Sequence, residues 1–109
     1  MKFFVRFSNR TFEHVPGRRN FVDSGGCPEQ IKPLEEAYFG MFLKYAGDIC
    51  DENGEVIGCK IKDCNEGICH EIYPGKVYNI DVWNDCVDDD GCPESVCISY
   101  YIELIPRSE

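Results

Sequence analysis

The chain has 109 residues, of which 43% are hydrophobic, and 11 Lys and Arg stand against 20 Asp and Glu for a net charge of −9. A chain of this length builds one core, is too apolar to be disordered, and has no apolar run approaching the roughly 18 residues of a membrane helix. The negative charge repels polyphosphate and anionic lipid heads, which argues against nucleic-acid or membrane partners.

The first segment, Lys2-Phe3-Phe4-Val5-Arg6-Phe7, alternates loosely in aromatic and β-branched residues and predicts a strand. It is too short, and too interrupted by Arg6, for the apolar region of a secretory signal, so the sequence reads as a mature chain. Residues 1–20 carry five basic side chains and only Glu13, whereas residues 21–109 carry six basic against 19 acidic. Residues 1–24 are therefore expected to form a basic N-terminal arm or extra strand ahead of a domain spanning 25–109. Asn9-Arg10-Thr11 matches a glycosylation acceptor, Pro16-Gly17 marks a turn, and Ser24-Gly25-Gly26 reads as a flexible stop.

Residues 33–46 carry a helical period, with Leu34, Ala37, Tyr38, Met41, Phe42 and Tyr45 on one face. Pro33 suits a first turn, Glu35 and Glu36 suit the positive end of the dipole, Lys44 the negative end, and Gly47 a left-handed stop. Asp51-Glu52-Asn53-Gly54 is turn chemistry, and strands are predicted over Glu55 to Lys62, Lys76 to Trp83 and Val96 to Leu104. Tight connections favour antiparallel neighbours. The expected fold class is α+β: one amphipathic helix packed on a roughly four-stranded antiparallel sheet.

Eight cysteines, Cys27, Cys50, Cys59, Cys64, Cys69, Cys86, Cys92 and Cys97, are the usage of an oxidising compartment, and predict a secreted, disulfide-rich chain with all eight in bridges. Cys86 and Cys92 are plausible partners in a loop clip. The competing reading is metal, but Cys59, Cys64, Cys69 and His70 space as C-x4-C-x4-C-H, unlike structural zinc sites. Asp85, Asp88, Asp89 and Asp90 lack the EF-hand order of ligands and read as a solvated acidic turn. Neither His14 nor His70 stands where a general base would be expected, and no acyl-transfer, nucleotide or metalloprotease motif occurs. A non-enzyme without cofactor or metal is expected, and a monomer.

The order Gly25-Gly26, helix, Glu71-Ile72-Tyr73-Pro74-Gly75, strand, Cys86, Cys92-Pro93, then Cys97 to Pro106 resembles the secreted cystatins. The resemblance implies a wedge that enters the cleft of papain-like cysteine proteases. Gly25 and Gly26 would be its trunk contact, Ile72, Tyr73, Pro74 and Gly75 its first hairpin, and Pro106 with Arg107 its second. Cys86 to Cys92 would be the family's first bridge. The family's Q-x-V-x-G keeps only its glycine here, its Pro-Trp keeps only the proline, and its last cysteine is missing. The expected function is thus reversible protease inhibition, a proton-free blocking of the cleft.

Two alternatives stand beside it. A disulfide-rich binder of the venom or saliva type could use the same frame for another protein partner. Cys64-x4-Cys69 followed by Pro74 to Val82 also resembles the secreted, all-β lipid-recognition sandwiches related to the mite group-2 allergens. The expected helix at 33–46 speaks against that group, and the chain is short for two sheets enclosing a lipid.

Overall fold

The computed structural model describes residues 2–14, 21–40, 42–87, 91 and 93–107. Seven strands run in chain order: β1 (Phe3–His14), β2 (Phe21–Pro33), β3 (Leu43–Cys50), β4 (Val56–Asp63), β5 (Cys69–Ile72), β6 (Val77–Val87) and β7 (Pro93–Pro106). A four-stranded sheet has the order β2-β1-β7-β6 and a three-stranded sheet the order β3-β4-β5, with every pair antiparallel. The protein is all-β, and the described residues contain no α-helix.

Period-two alternation explains the strands. On β6, Ile80 and Val82 are buried while Val77, Asn79, Asp81 and Trp83 face outward, and on β7 Tyr100, Ile102 and Leu104 are buried. Phe3, Val5 and Phe7 of β1 meet these side chains and those of Cys59, Ile61 and Ile72 from the smaller sheet in one core cluster. The two sheets are therefore faces of a sandwich sharing a single apolar layer.

The helix expected at 33–46 is absent, and with it the α+β class and the cystatin-like frame. Pro33 ends β2, Leu34–Glu36 make a single 3-10 turn, and Leu43 begins β3. Two physical facts decide this. Gly40 lies in the middle of the window with φ +111°, a conformation no helix contains. The window is also so rich in apolar and aromatic residues that it satisfies both periods, and the aromatic ones favour strands. The burial is accordingly not that of the predicted stripe. Leu34, Phe39 and Leu43 are buried, while Tyr38 is 76% exposed.

The Ser24-Gly25-Gly26 stop is also corrected, since these residues lie within β2. That strand carries two register shifts against β1, each adding one residue on the β2 side: between Phe7↔Gln30 and Asn9↔Cys27, and between Thr11↔Gly25 and Phe12↔Asp23. Pro28, which has no N–H to give, sits in the first irregularity. Gly26 lets the strands approach there, because a Cβ would run into the Asn9 carbonyl oxygen and lie 2.8 Å from Arg10 Cα. Phe3–His14, from the basic arm, is an inner strand, flanked by β2 and β7.

The disulfide-rich scaffold is corrected as well: Cys27, Cys50, Cys59, Cys64, Cys69 and Cys97 are free thiols. Strand geometry separates the two buried ones. Cys59 packs in the shared core, whereas Cys97 alternates with Tyr100 and Ile102 onto the outer side of the larger sheet. Cys86 lies on β6 opposite Glu94, and its predicted partner Cys92 is outside the described residues, as are Pro16-Gly17 and Asp88 to Asp90.

The sheets differ in length. At about 3.3 Å per residue, β1, β2 and β7 run about 40 Å or more, and β3 and β4 about 26 Å. The larger sheet overhangs the smaller one, and the molecule measures 55 × 25 × 21 Å with a radius of gyration of 16.2 Å, against about 13 Å for an ordinary domain of this size. Truncating the fully buried Ile102 to Ala, at the centre of the shared layer, is expected to cost about 2–5 kcal/mol, read as a lowered midpoint in chemical denaturation.

Candidate ligand cleft

The overhang leaves inward-facing positions of β1 and β7 without a strand opposite them, and the chain between β2 and β3 folds over the gap. A cleft of about 440 Å3 results, walled by Phe7 from β1, Ile98 and Tyr100 from β7, and Tyr38, Phe39 and Phe42 from the connection. The rings of Phe7 and Phe39 meet edge to face with centroids 4.9 Å apart, which fixes one wall. Gly40 faces the Tyr100 hydroxyl, and a Cβ there would come within 3.3 Å of it. Burial, reinforced by the neighbouring Cys27, Tyr38 and Asp63, pushes the Tyr100 phenol up to about 12. It is a neutral hydroxyl at neutral pH.

The polar rim comes from β1 and β2: Asn9, Thr11, Cys27, Gln30 and Lys32. Lys32 is the only charged side chain among the described lining residues. Asn9 is already engaged, since its Oδ1 accepts the Cys27 backbone N–H at 3.0 Å and repairs the ladder at the first β2 irregularity. The glycosylation motif therefore lies inside a strand with its amide turned into the cleft. Intact mass of protein made through a eukaryotic secretory route should show Asn9 unmodified, and Asn9→Ala should lower stability by about 1 kcal/mol in denaturant titration.

Two other hollows are more polar. One of about 410 Å3, at the opposite end of the sandwich, is lined by Lys2, Glu35 and Asp48 beside Phe3, Leu34, Tyr45 and Val56. Asp48 accepts the hydroxyl hydrogen of Tyr45, and that bond, together with burial, which acts most strongly, raises the Tyr45 phenol far above its ordinary range. A groove of about 610 Å3 runs between β5 and β6 past Lys60, Cys69, His70 and Glu71. Among the described residues no group of His, Cys, Asp and Glu side chains could hold a metal ion.

The residues expected to form a protease-blocking wedge are placed as follows. Gly25 and Gly26 pair with Thr11 and Arg10, while Pro106 pairs with Phe3 at the other end of β1, about 27 Å away. Arg107 donates its backbone N–H to the Lys2 carbonyl at 2.9 Å, donates from its guanidinium to Glu35 at 2.9 Å, and stacks 4.9 Å over the Phe4 ring. Ile72 is fully buried in the core. Tyr73 takes the Tyr78 hydroxyl as acceptor of its N–H at 3.2 Å, Pro74 is half-buried, and Gly75 turns with φ +91°. The two hairpin contacts thus lie toward one end of the larger sheet and the glycines toward the other. They do not share an edge.

The chain matches no family model, no curated protein and no solved structure. Sequence reasoning missed the cleft because Tyr38, Phe39 and Phe42, which wall it, fall within the predicted helix. Gly40 within an aromatic run was the available signal of a bend there.

The core thiol gives a pH dependence. Burial, with a smaller push from Asp48, raises the Cys59 thiol from 9.0 to about 12. The unfolded thiol ionises near pH 9 while the folded one stays protonated, so this effect leaves stability untouched below pH 9 and lowers it as pH rises toward 12. Denaturation midpoints followed across that range should fall, and less steeply for Cys59→Ala.

Proposed function

We propose that this protein is a non-enzymatic binder of a single-chain apolar ligand with an anionic head, of the fatty-acid type, held in the cleft on the inner face of the larger sheet. The observation that carries the reading is the aromatic-walled space of about 440 Å3, within the range of small-molecule sites. Its chemistry is divided as such a ligand requires: apolar side chains line the wall, and a single ammonium group, Lys32, stands with amides on the rim. The neutral hydroxyl of Tyr100 adds a polar contact inside.

The resemblance of residues 64–82 to secreted lipid-recognition sandwiches fits this reading. The objection from a helix at 33–46 falls with the observed all-β, two-sheet fold. The other, a chain short for two sheets enclosing a lipid, is met by a different arrangement, a cleft walled by the larger sheet and the β2–β3 connection. Protease inhibition rested on a cystatin-like frame, which the all-β, two-sheet fold does not share.

Organic extraction of the purified protein followed by mass spectrometry should yield a fatty ligand, and a fluorescent fatty-acid probe should bind the extracted protein. Ile98→Trp, which fills the cleft, should weaken probe binding at least about tenfold while the β-type circular dichroism persists. Lys32→Gln should weaken a carboxylate probe more than its alcohol analogue. No extracted ligand together with no probe binding would overturn the reading.

A further inference from the structure

The outer face of the three-stranded sheet gathers positive charge in an acidic protein. Lys44 on β3 stands directly opposite Lys62 on β4, and Lys60, two residues before Lys62, stands opposite Glu71 on β5. Residues opposed across an antiparallel ladder share a face, as do residues i and i+2 of a strand. The three ammonium groups therefore rise from one side of the sheet, the side away from buried Cys59, Ile61 and Ile72. Lys44 and Lys60 are exposed and Lys62 is half-buried. Among the described residues the ion pairs belong to Arg6 and Arg107, and none of these lysines takes part in one. Glu71 accepts the Tyr73 hydroxyl at 3.3 Å.

Three of the six basic side chains in residues 21–109 thus share one face. Like charges directly opposite each other destabilise a strand pair. No packing in the core requires these two, since both lie outside it. An arrangement that weakens the sheet and adds nothing to the core is accounted for by an anion that binds it.

We propose that this face binds a linear sulfated polyanion, of the sulfated-polysaccharide class, through Lys44, Lys60 and Lys62. The local charge selects an anion, and the overall charge selects its shape. An anionic bilayer would press a plane of negative charge against the whole facing side of a protein of net charge −9. A narrow chain can follow the lysines and meets Glu71, opposite Lys60, beside them, whereas a bilayer would face the acidic remainder as well. Lysine ammonium groups are mobile point charges without the bidentate demand of arginine, which suits sulfates at varied spacing. A single-stranded nucleic acid would want aromatic platforms along its track, and this face offers only Tyr73 at its border. The inference is independent of the cleft and its ligand.

The test is titration of the full chain with heparin over a range of salt, beside vesicles of phosphatidylcholine and phosphatidylserine and an unstructured oligonucleotide. Heparin should bind, with log affinity falling against log salt at a slope of about −2 for three lysine contacts. Lys44→Gln with Lys62→Gln should lose about tenfold or more, and Arg10→Gln should lose little. Lys44→Glu, which turns the opposed pair into an attractive one, should also lose heparin binding yet melt no lower than the parent, separating loss of the site from loss of the fold. Absence of heparin binding, undiminished binding by the double variant, or tighter binding to the vesicles or the oligonucleotide would overturn the proposal.

Discussion

One apolar layer shared by two sheets is the constraint on which this molecule depends. A strand buries one face, so each sheet alone would leave half of its hydrophobic side chains in water. Phe3, Val5 and Phe7 of an inner strand, Ile102 and Leu104 of the last strand, and Ile61 and Ile72 of the smaller sheet cover one another, and the burial of those side chains holds the sandwich shut. Because the sheets are unequal, the layer cannot be completed along the full length of β1 and β7. The aromatic connection between β2 and β3 covers what remains, and does so loosely enough to leave a cleft.

Much of the strand pattern was legible from residue periodicity. The strands predicted over Lys76 to Trp83 and Val96 to Leu104 are β6, from Val77, and β7, and on β6 the alternation is observed, with Ile80 and Val82 buried and Val77, Asn79, Asp81 and Trp83 exposed. The stretch from Leu34 to Tyr45 was not legible, because its apolar density meets the helical and the extended template alike. In the fold Leu43 is buried as the first residue of β3, where it opposes Asp63. The β2 strand was hidden for a different reason. Glycines and a proline read locally as a break, yet here they make the bulges that allow a strand to continue past Asn9. Cysteine number points to an environment, but a pairing needs two side chains on one face, which no linear pattern reveals for Cys59 and Cys97.

The candidate binding surfaces divide the molecule's chemistry. The cleft is apolar-walled and lies on the inner face of the larger sheet, where that sheet has surplus length. The lysine face is polar and lies outside it, on the shorter sheet, and occupies the only strand row in which two basic residues are directly opposed among the described pairings. The cleft follows from sheet geometry and the lysine face from residue placement, so changing one leaves the other intact.

The irregular β2 has a consequence for how the protein behaves in a crowded solution. It is an outermost strand of the larger sheet, and a long straight border of unpaired amides would recruit further chains into a growing ribbon. Two interruptions and a proline break that border into short, misaligned pieces, none long enough to template an incoming strand. What looked in the sequence like an ending is a fence along one border of the larger sheet.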